Sequence, residues 1–74
     1  MDKDQLLKKF GENLKAIRKA KGKEWTHRKL GDLTLTDPQH ISKLERGKHE
    51  PGIITVILLA RALECQPGDL LNDL

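Results

Sequence analysis

Apolar residues recur three or four positions apart in the N-terminal part of the chain, at Leu6, Leu7, Phe10, Leu14 and Ile17. That period predicts a helix from Asp4 to Lys21, with one buried stripe and a lysine-covered outer face. Asp2 and Asp4 stand near the positive end of its dipole, and Lys19 and Lys21 near the negative end. Gly22 supplies a stop. Lys8, Lys15 and Lys19 read as solvated side chains.

From Trp25 to His49 the pattern shortens to two brief helices joined by a tight turn. One is expected from about His27 to Leu33, with Thr26 as N-cap. The next opens at Thr36 or Asp37. Thr36 followed by Gln39 matches a capping box, and Pro38 suits a first turn that needs no amide donor. Ile41 and Leu44 are its core positions, Gly47 ends it, and Glu50-Pro51-Gly52 makes a turn. Two helices this short do not stabilise each other in water, so the unit is expected to present one face to a partner.

Ile53 to Glu64 is the most apolar stretch, and its β-branched residues could suit a strand. A run of about twelve residues is too long for a typical strand and right for a helix. Its core face is expected at Ile53, Val56, Leu59, Ala60 and Leu63, leaving Ile54, Ile57, Leu58 and Arg61 toward the other side. Gln66-Pro67-Gly68-Asp69 opens a last short helix through Leu70 and Leu71. The sum is a single all-α domain over residues 1–74, with five helices and no strand, linker or repeat.

Composition narrows the class. A 36% hydrophobic share beside 34% charged residues fits a soluble domain rich in surface. No apolar run approaches the ~20 residues of a membrane span, and the charged N-terminus lacks a signal-peptide core, so the expected location is the cytoplasm. A single cysteine, Cys65, excludes an internal disulfide. Three histidines and that cysteine match no usual metal-ligand spacing, so neither metal nor cofactor is expected. No nucleophile, base and oxyanion site converge on a recognisable motif, so an enzyme is not expected. Charge is more telling. Residues 1–49 hold thirteen of the fourteen Lys and Arg against seven of the eleven Asp and Glu, a net +6, whereas residues 50–74 carry −3. A positive front half is what a phosphate-binding surface requires, although lysine-rich helices are also simply solvated.

Ile41-Ser42-Lys43-Leu44-Glu45-Arg46-Gly47, then Pro51, then Ala60-Arg61-Ala62-Leu63, resembles the Xre/Cro family of helix-turn-helix regulators, the lambda-repressor-like DNA-binding domains. The likeness extends from Phe10-Gly11-Glu12-Asn13-Leu14 to Pro67-Gly68-Asp69-Leu70-Leu71. It implies a compact five-helix lambda-repressor-like fold with the third helix, about 37–45, in the major groove of double-stranded DNA. Carried over by position, the base-contacting residues are Pro38, Gln39, His40, Ser42 and Lys43. Gln39 suits adenine and Lys43 guanine, but Gln39 also fits the capping box and Lys43 a phosphate. Phosphate contacts fall on His27, Arg28, Arg46, Lys48 and His49, with histidine at 27 where relatives usually carry glutamine. Arg18 and Glu45 match a structural ion pair, partly buried in the family, with Arg18 also near a phosphate.

Departures from the family pattern sharpen the expectations. Leu35 replaces a usual turn glycine. It is either strained at positive φ or, as expected here, part of a reshaped turn with Leu33 or Leu35 directed into the core. Pro38 stands at a base-reading position and can offer only apolar contact, such as to a thymine methyl. Lys23-Glu24 looks like a small insertion, and Trp25 like a core plug. On helix four, Ile54, Ile57 and Leu58, with Leu74, form an apolar stripe that predicts a homodimer, and so a palindromic operator; the alternative is that this helix is core on all sides. A transcriptional regulator is the leading reading. A protein-interaction module or antitoxin on the same fold, with a protein partner, is the alternative.

Overall fold

A computed structural model describes all 74 residues. Five helices follow in order: α1 Lys3–Ala20, α2 His27–Thr34, α3 Pro38–Glu45, α4 Ile53–Ala62 and α5 Pro67–Leu70, with no strand among them. α1 packs on α3 and α5, α2 on α3 and α4, and α4 on α5. The enclosed core is Phe10, Leu14, Leu30, Ile41, Leu44, Val56, Leu59, Ala60, Leu63 and Leu70. Each fully buried leucine or isoleucine contributes about 1.5–3 kcal/mol against exposure. No helix is long and apolar enough to cross a membrane.

α1 begins one residue earlier than its apolar period suggests, because Asp2 and Gln5 form a reciprocal cap. The Gln5 amide donates to Asp2 Oδ1 at 2.8 Å, and the Asp2 amide to Gln5 Oε1 at 2.9 Å. Gly22 ends it as expected, with φ at +123°. Leu6 does not join the buried stripe; it is 37% exposed. Gly11 lies under the end of α3, so close that a Cβ there would collide with the Leu44 and Glu45 carbonyls.

Thr26 caps α2, accepting from the Lys29 amide at 3.1 Å. The turn after α2 corrects one expectation. Leu35 holds φ 54° and ψ 41°, the left-handed conformation, and its side chain is 96% exposed; Leu33 is 54% exposed. The turn is therefore kept and neither leucine enters the core. Its hydrogen bonding explains why: the Leu35 and Thr36 amides both donate to the Gly31 carbonyl, the latter at 2.8 Å. Only a left-handed residue at 35 brings both amides there, and it turns its side chain outward.

α3 is capped by Asp37, whose Oδ1 accepts from the Gln39 amide at 2.7 Å, with Pro38 in the first turn. The Thr36–Gln39 capping box does not form, since the Thr36 hydroxyl donates to the Thr34 carbonyl at 3.1 Å. At the other end Lys48 donates to Lys43 at 2.9 Å and Gly47 to Leu44 at 3.1 Å, across Gly47 at φ +70°. This is the Schellman arrangement. α4 ends the same way, with the left-handed residue Glu64 in place of glycine and Cys65 donating to Ala60 at 2.9 Å. It is therefore two residues shorter than its apolar run. Val56, Leu59, Ala60 and Leu63 are buried as expected. Ile53 is not: at 70% exposure it stands out from the first turn of α4. Asn13 ties the C-terminus to α1, its amide donating to the Leu70 and Asn72 carbonyls at 3.0 and 2.9 Å.

Candidate nucleic-acid interface

α3 is buried along one side and open along the other. Ile41, Leu44 and Glu45 face inward. Gln39 and Lys43, four residues apart, lie exposed together on the outer face. With its own amide taken by Asp37, Gln39 has a side chain free of any capping duty. Pro38, His40 and Ser42 beside them are half-buried. Cations flank this face: Arg28 on α2, and Arg46 and Lys48 after α3, are exposed. His49 is exposed and lies against His40, with ring centroids 5.3 Å apart and planes tilted by 56°.

One buried ion pair fixes the pose of α3. Arg18 Nε donates to Glu45 Oε2 at 2.6 Å and Nη2 to Oε1 at 3.0 Å, while Nη1 reaches the Trp25 carbonyl at 2.8 Å. The side chains are 11% and 4% exposed. The expected pair is therefore present, and it also anchors the loop before α2. Trp25 plugs the edge of the core there, half-buried, with Lys21 and Lys29 ammonium groups 4.9 and 4.4 Å from its ring. His27, at the start of α2, shares the same carboxylate: its Nε2 is 3.0 Å from Glu45 Oε1. Burial pushes the Glu45 carboxyl up, but hydrogen bonds and charge from Arg18 and His27 outweigh that and hold it below the ordinary value.

Around this triad α1, α2 and α3 leave an open polar notch of about 310 Å³ with no apolar lining residue. Lys15 and Lys19 of α1 border it with Arg18, His27, Ser42, Glu45 and Arg46. Both lysines are exposed, as expected of solvated side chains. Their helical phase brings them to this border, since Lys15 lies three residues before Arg18 and four before Lys19.

The residues expected at a dimer seam divide into two groups. Ile54 and Leu58 are exposed, at 64% and 39%, while Ile57 is half-buried. Leu74 instead borders an apolar groove of about 360 Å³ with Leu6, Phe10, Ile53 and Leu71, edged by a Lys3–Glu50 ion pair at 3.0 Å. No group of three or more His, Cys, Asp and Glu side chains is placed to hold a metal. Cys65 is half-buried; burial, then the Asp69 charge, pushes its thiol up, away from reactivity.

A family model described as helix-turn-helix matches residues 14–70. Among solved structures, the chain is similar to the restriction-modification controller protein C.AhdI from Aeromonas hydrophila. The two are 33% identical with a TM-score of 0.82, over 86% of this chain and 94% of that one. No curated protein matches.

Proposed function

This chain belongs to the Xre/Cro-like helix-turn-helix family of DNA-binding transcription regulators, and we propose that it acts as a homodimer on a palindromic double-stranded operator. α3 enters the major groove of each half-site, and the two half-sites lie about one helical turn apart. Gln39 pairs with adenine and Lys43 with guanine, with His40 and Ser42 beside them and Pro38 limited to apolar contact. His27, Arg28, Arg46, Lys48 and His49 hold phosphates and set the register. Ile54, Ile57, Leu58 and Leu74 join the protomers. Such a regulator works in the cytoplasm and needs no cofactor.

The observation that carries this reading is the division of α3 into a locked inner face and an open outer one. Inside, Glu45 is clamped to Arg18 at 2.6 Å. Outside, Gln39 and Lys43 stand free between exposed cations. Likeness to a restriction-modification controller supports a regulatory role.

The test is a gel shift with DNA from upstream of its own gene, repeated across salt. Specific retention over competitor, with affinity falling as salt rises, is the expected result. Absence of binding at low salt refutes it and favours the second reading, a protein-interaction module or antitoxin. That reading draws on the exposed Leu33 and Leu35 beside α3 and on Pro38, which cannot hydrogen-bond a base.

A further inference from the structure

His40 and His49 belong to different parts of the chain yet lie in ring contact, with centroids 5.3 Å apart and planes tilted by 56°. The backbone that brings them together is fixed. His40 sits on α3, and beyond that helix the chain doubles back. Gly47 holds φ +70°, and the Lys48 amide donates to the Lys43 carbonyl at 2.9 Å. α1 backs this turn so closely that a Cβ on Gly47 would meet the Lys8 backbone at 3.0 Å. Position 49 therefore has little room to drift from α3. Of the chain's three histidines, only His27 has a hydrogen-bonding partner, Glu45 at 3.0 Å. The nitrogens of His40 and His49 are left for another ligand. His49 is exposed, so its ring can turn between rotamers to meet one.

Two unpaired imidazoles at this spacing suit a shared metal ion. Metal–nitrogen bonds of about 2.0–2.1 Å at a roughly tetrahedral angle put the two ring centroids roughly 5.2 Å apart. The observed separation, 5.3 Å, agrees. We propose that His40 and His49 bind one divalent transition-metal ion of the zinc, nickel or copper class, each through one ring nitrogen, with water in the other positions. No third protein ligand joins them, and Glu50, next to His49, is engaged by Lys3 at 3.0 Å. The site is therefore open and exchangeable, unlike a closed four-ligand structural zinc site. Neighbouring charge sets its selectivity. Lys43, one turn on from His40, and Lys48, next to His49, are both exposed and repel an ion held by charge alone. Magnesium and calcium require oxygen ligands that this site lacks, whereas an ion that bonds imidazole nitrogen is retained. By bridging α3 to the turn that follows it, the ion stabilises the folded chain through mass action.

This site stands independently of the DNA-binding reading and is tested without DNA. Zinc chloride is titrated into the full chain by calorimetry, in a non-chelating buffer at about pH 7.5, with thermal melts in parallel. One ion per chain is expected. Zinc at about ten times its dissociation constant should raise the melting temperature by roughly 5–10 °C. Nickel should act alike, and magnesium should do nothing. His40→Gln and His49→Gln should each abolish both the binding heat and the melting shift. His49 is on the surface, so its variant serves even if His40→Gln unfolds by circular dichroism. Cys65→Ser should retain both signals. Absence of zinc uptake by the parent leaves a bare ring contact and overturns the proposal. So does uptake that survives in His49→Gln, uptake that is lost with Cys65, or one ion shared between two chains.

Discussion

Glu45 and Arg18 lie 27 positions apart in sequence and share two hydrogen bonds, at 2.6 and 3.0 Å, in a setting that leaves the carboxylate side chain 4% exposed. A pair this enclosed is held in place by what each partner would suffer alone. Arg18→Met leaves Glu45 buried with only His27 and should cost about 3–5 kcal/mol in urea denaturation. The double variant Arg18→Met/Glu45→Leu removes both charges and should recover most of that loss. If the double variant is as unstable as the two single losses added together, the pair is not the cause.

The same carboxylate sets an acid limit. Arg18 and His27 hold it below the value of an ordinary glutamate. A depressed native value means the unfolded state takes up protons first as pH falls. The stabilisation is therefore complete above the unfolded carboxylate range, about pH 4.3, and is lost as pH drops through the lower native value. Thermal melts should be level above about pH 5 and decline below about pH 4. Glu45→Gln should start lower and decline less steeply. Glu64, also lowered by its contact with Lys21, is fully exposed and contributes little to this limb.

Leu35 offers the opposite prospect, a gain. Its side chain touches almost nothing, at 96% exposure, yet its backbone is left-handed. Leu35→Gly removes a steric cost of about 1–2 kcal/mol and adds unfolded-state entropy worth about 0.5–1 kcal/mol. The net expectation is a stabilisation of about 0.5–1 kcal/mol by urea midpoint. Leu35→Val should destabilise, because a β-branched residue tolerates that conformation worse. A glycine variant less stable than the parent would mean that the leucine makes contacts of its own.

Gly11 predicts a loss without any charge being involved. A methyl there meets the Leu44 carbonyl at 2.5 Å and that of Glu45 nearer still. Both are backbone atoms, so no side chain can swing aside. Gly11→Ala should cost about 2–3 kcal/mol and, by moving the end of α3, weaken DNA binding more than an equally destabilising core change such as Val56→Ala. Equal binding by the two variants at a temperature where both are folded would separate Gly11 from the pose of α3.

The proposed dimer has a direct test in sedimentation. Leu58 is 39% exposed on α4, four residues from Ile54 at 64%. Leu58→Asp should convert a dimeric parent to a monomer without loss of helix content, since the position is already on the surface. A monomeric parent at tens of micromolar refutes the interface.

Helices whose ends carry ordinary signals were legible from sequence. Thr26, Gly22 and Gly47 mark their termini openly, and the spacing of Phe10, Leu14, Ile41 and Leu44 gives the core. The misses have local causes. Glu64 ends α4 in a conformation usually reserved for glycine, so the apolar run hid the true boundary. Thr36 and Asp37 both fit a cap, and only the competing bond from Thr36 to the Thr34 carbonyl decides between them. Ile53 fits the buried period of α4 but lies in a first turn that projects past its neighbours. The site was legible where a family pattern named its positions, as at Arg18 and Glu45. It was not legible where three helices converge: nothing in the local sequence joins Lys15 to His27 or Ser42.

The Asp37 cap has a further consequence for how this fold can change. Because Asp37 and Pro38 start α3, and Gly47 finishes it, Gln39 and Lys43 serve the helix ends through their backbone alone, and neither side chain has a hydrogen bond that keeps the helix wound. Swapping those two side chains alters what the outer face says without loosening the frame behind it. On the proposed reading of Gln39 and Lys43, selectivity is thus an interchangeable nameplate, and new operators come within reach of substitutions that leave folding untouched.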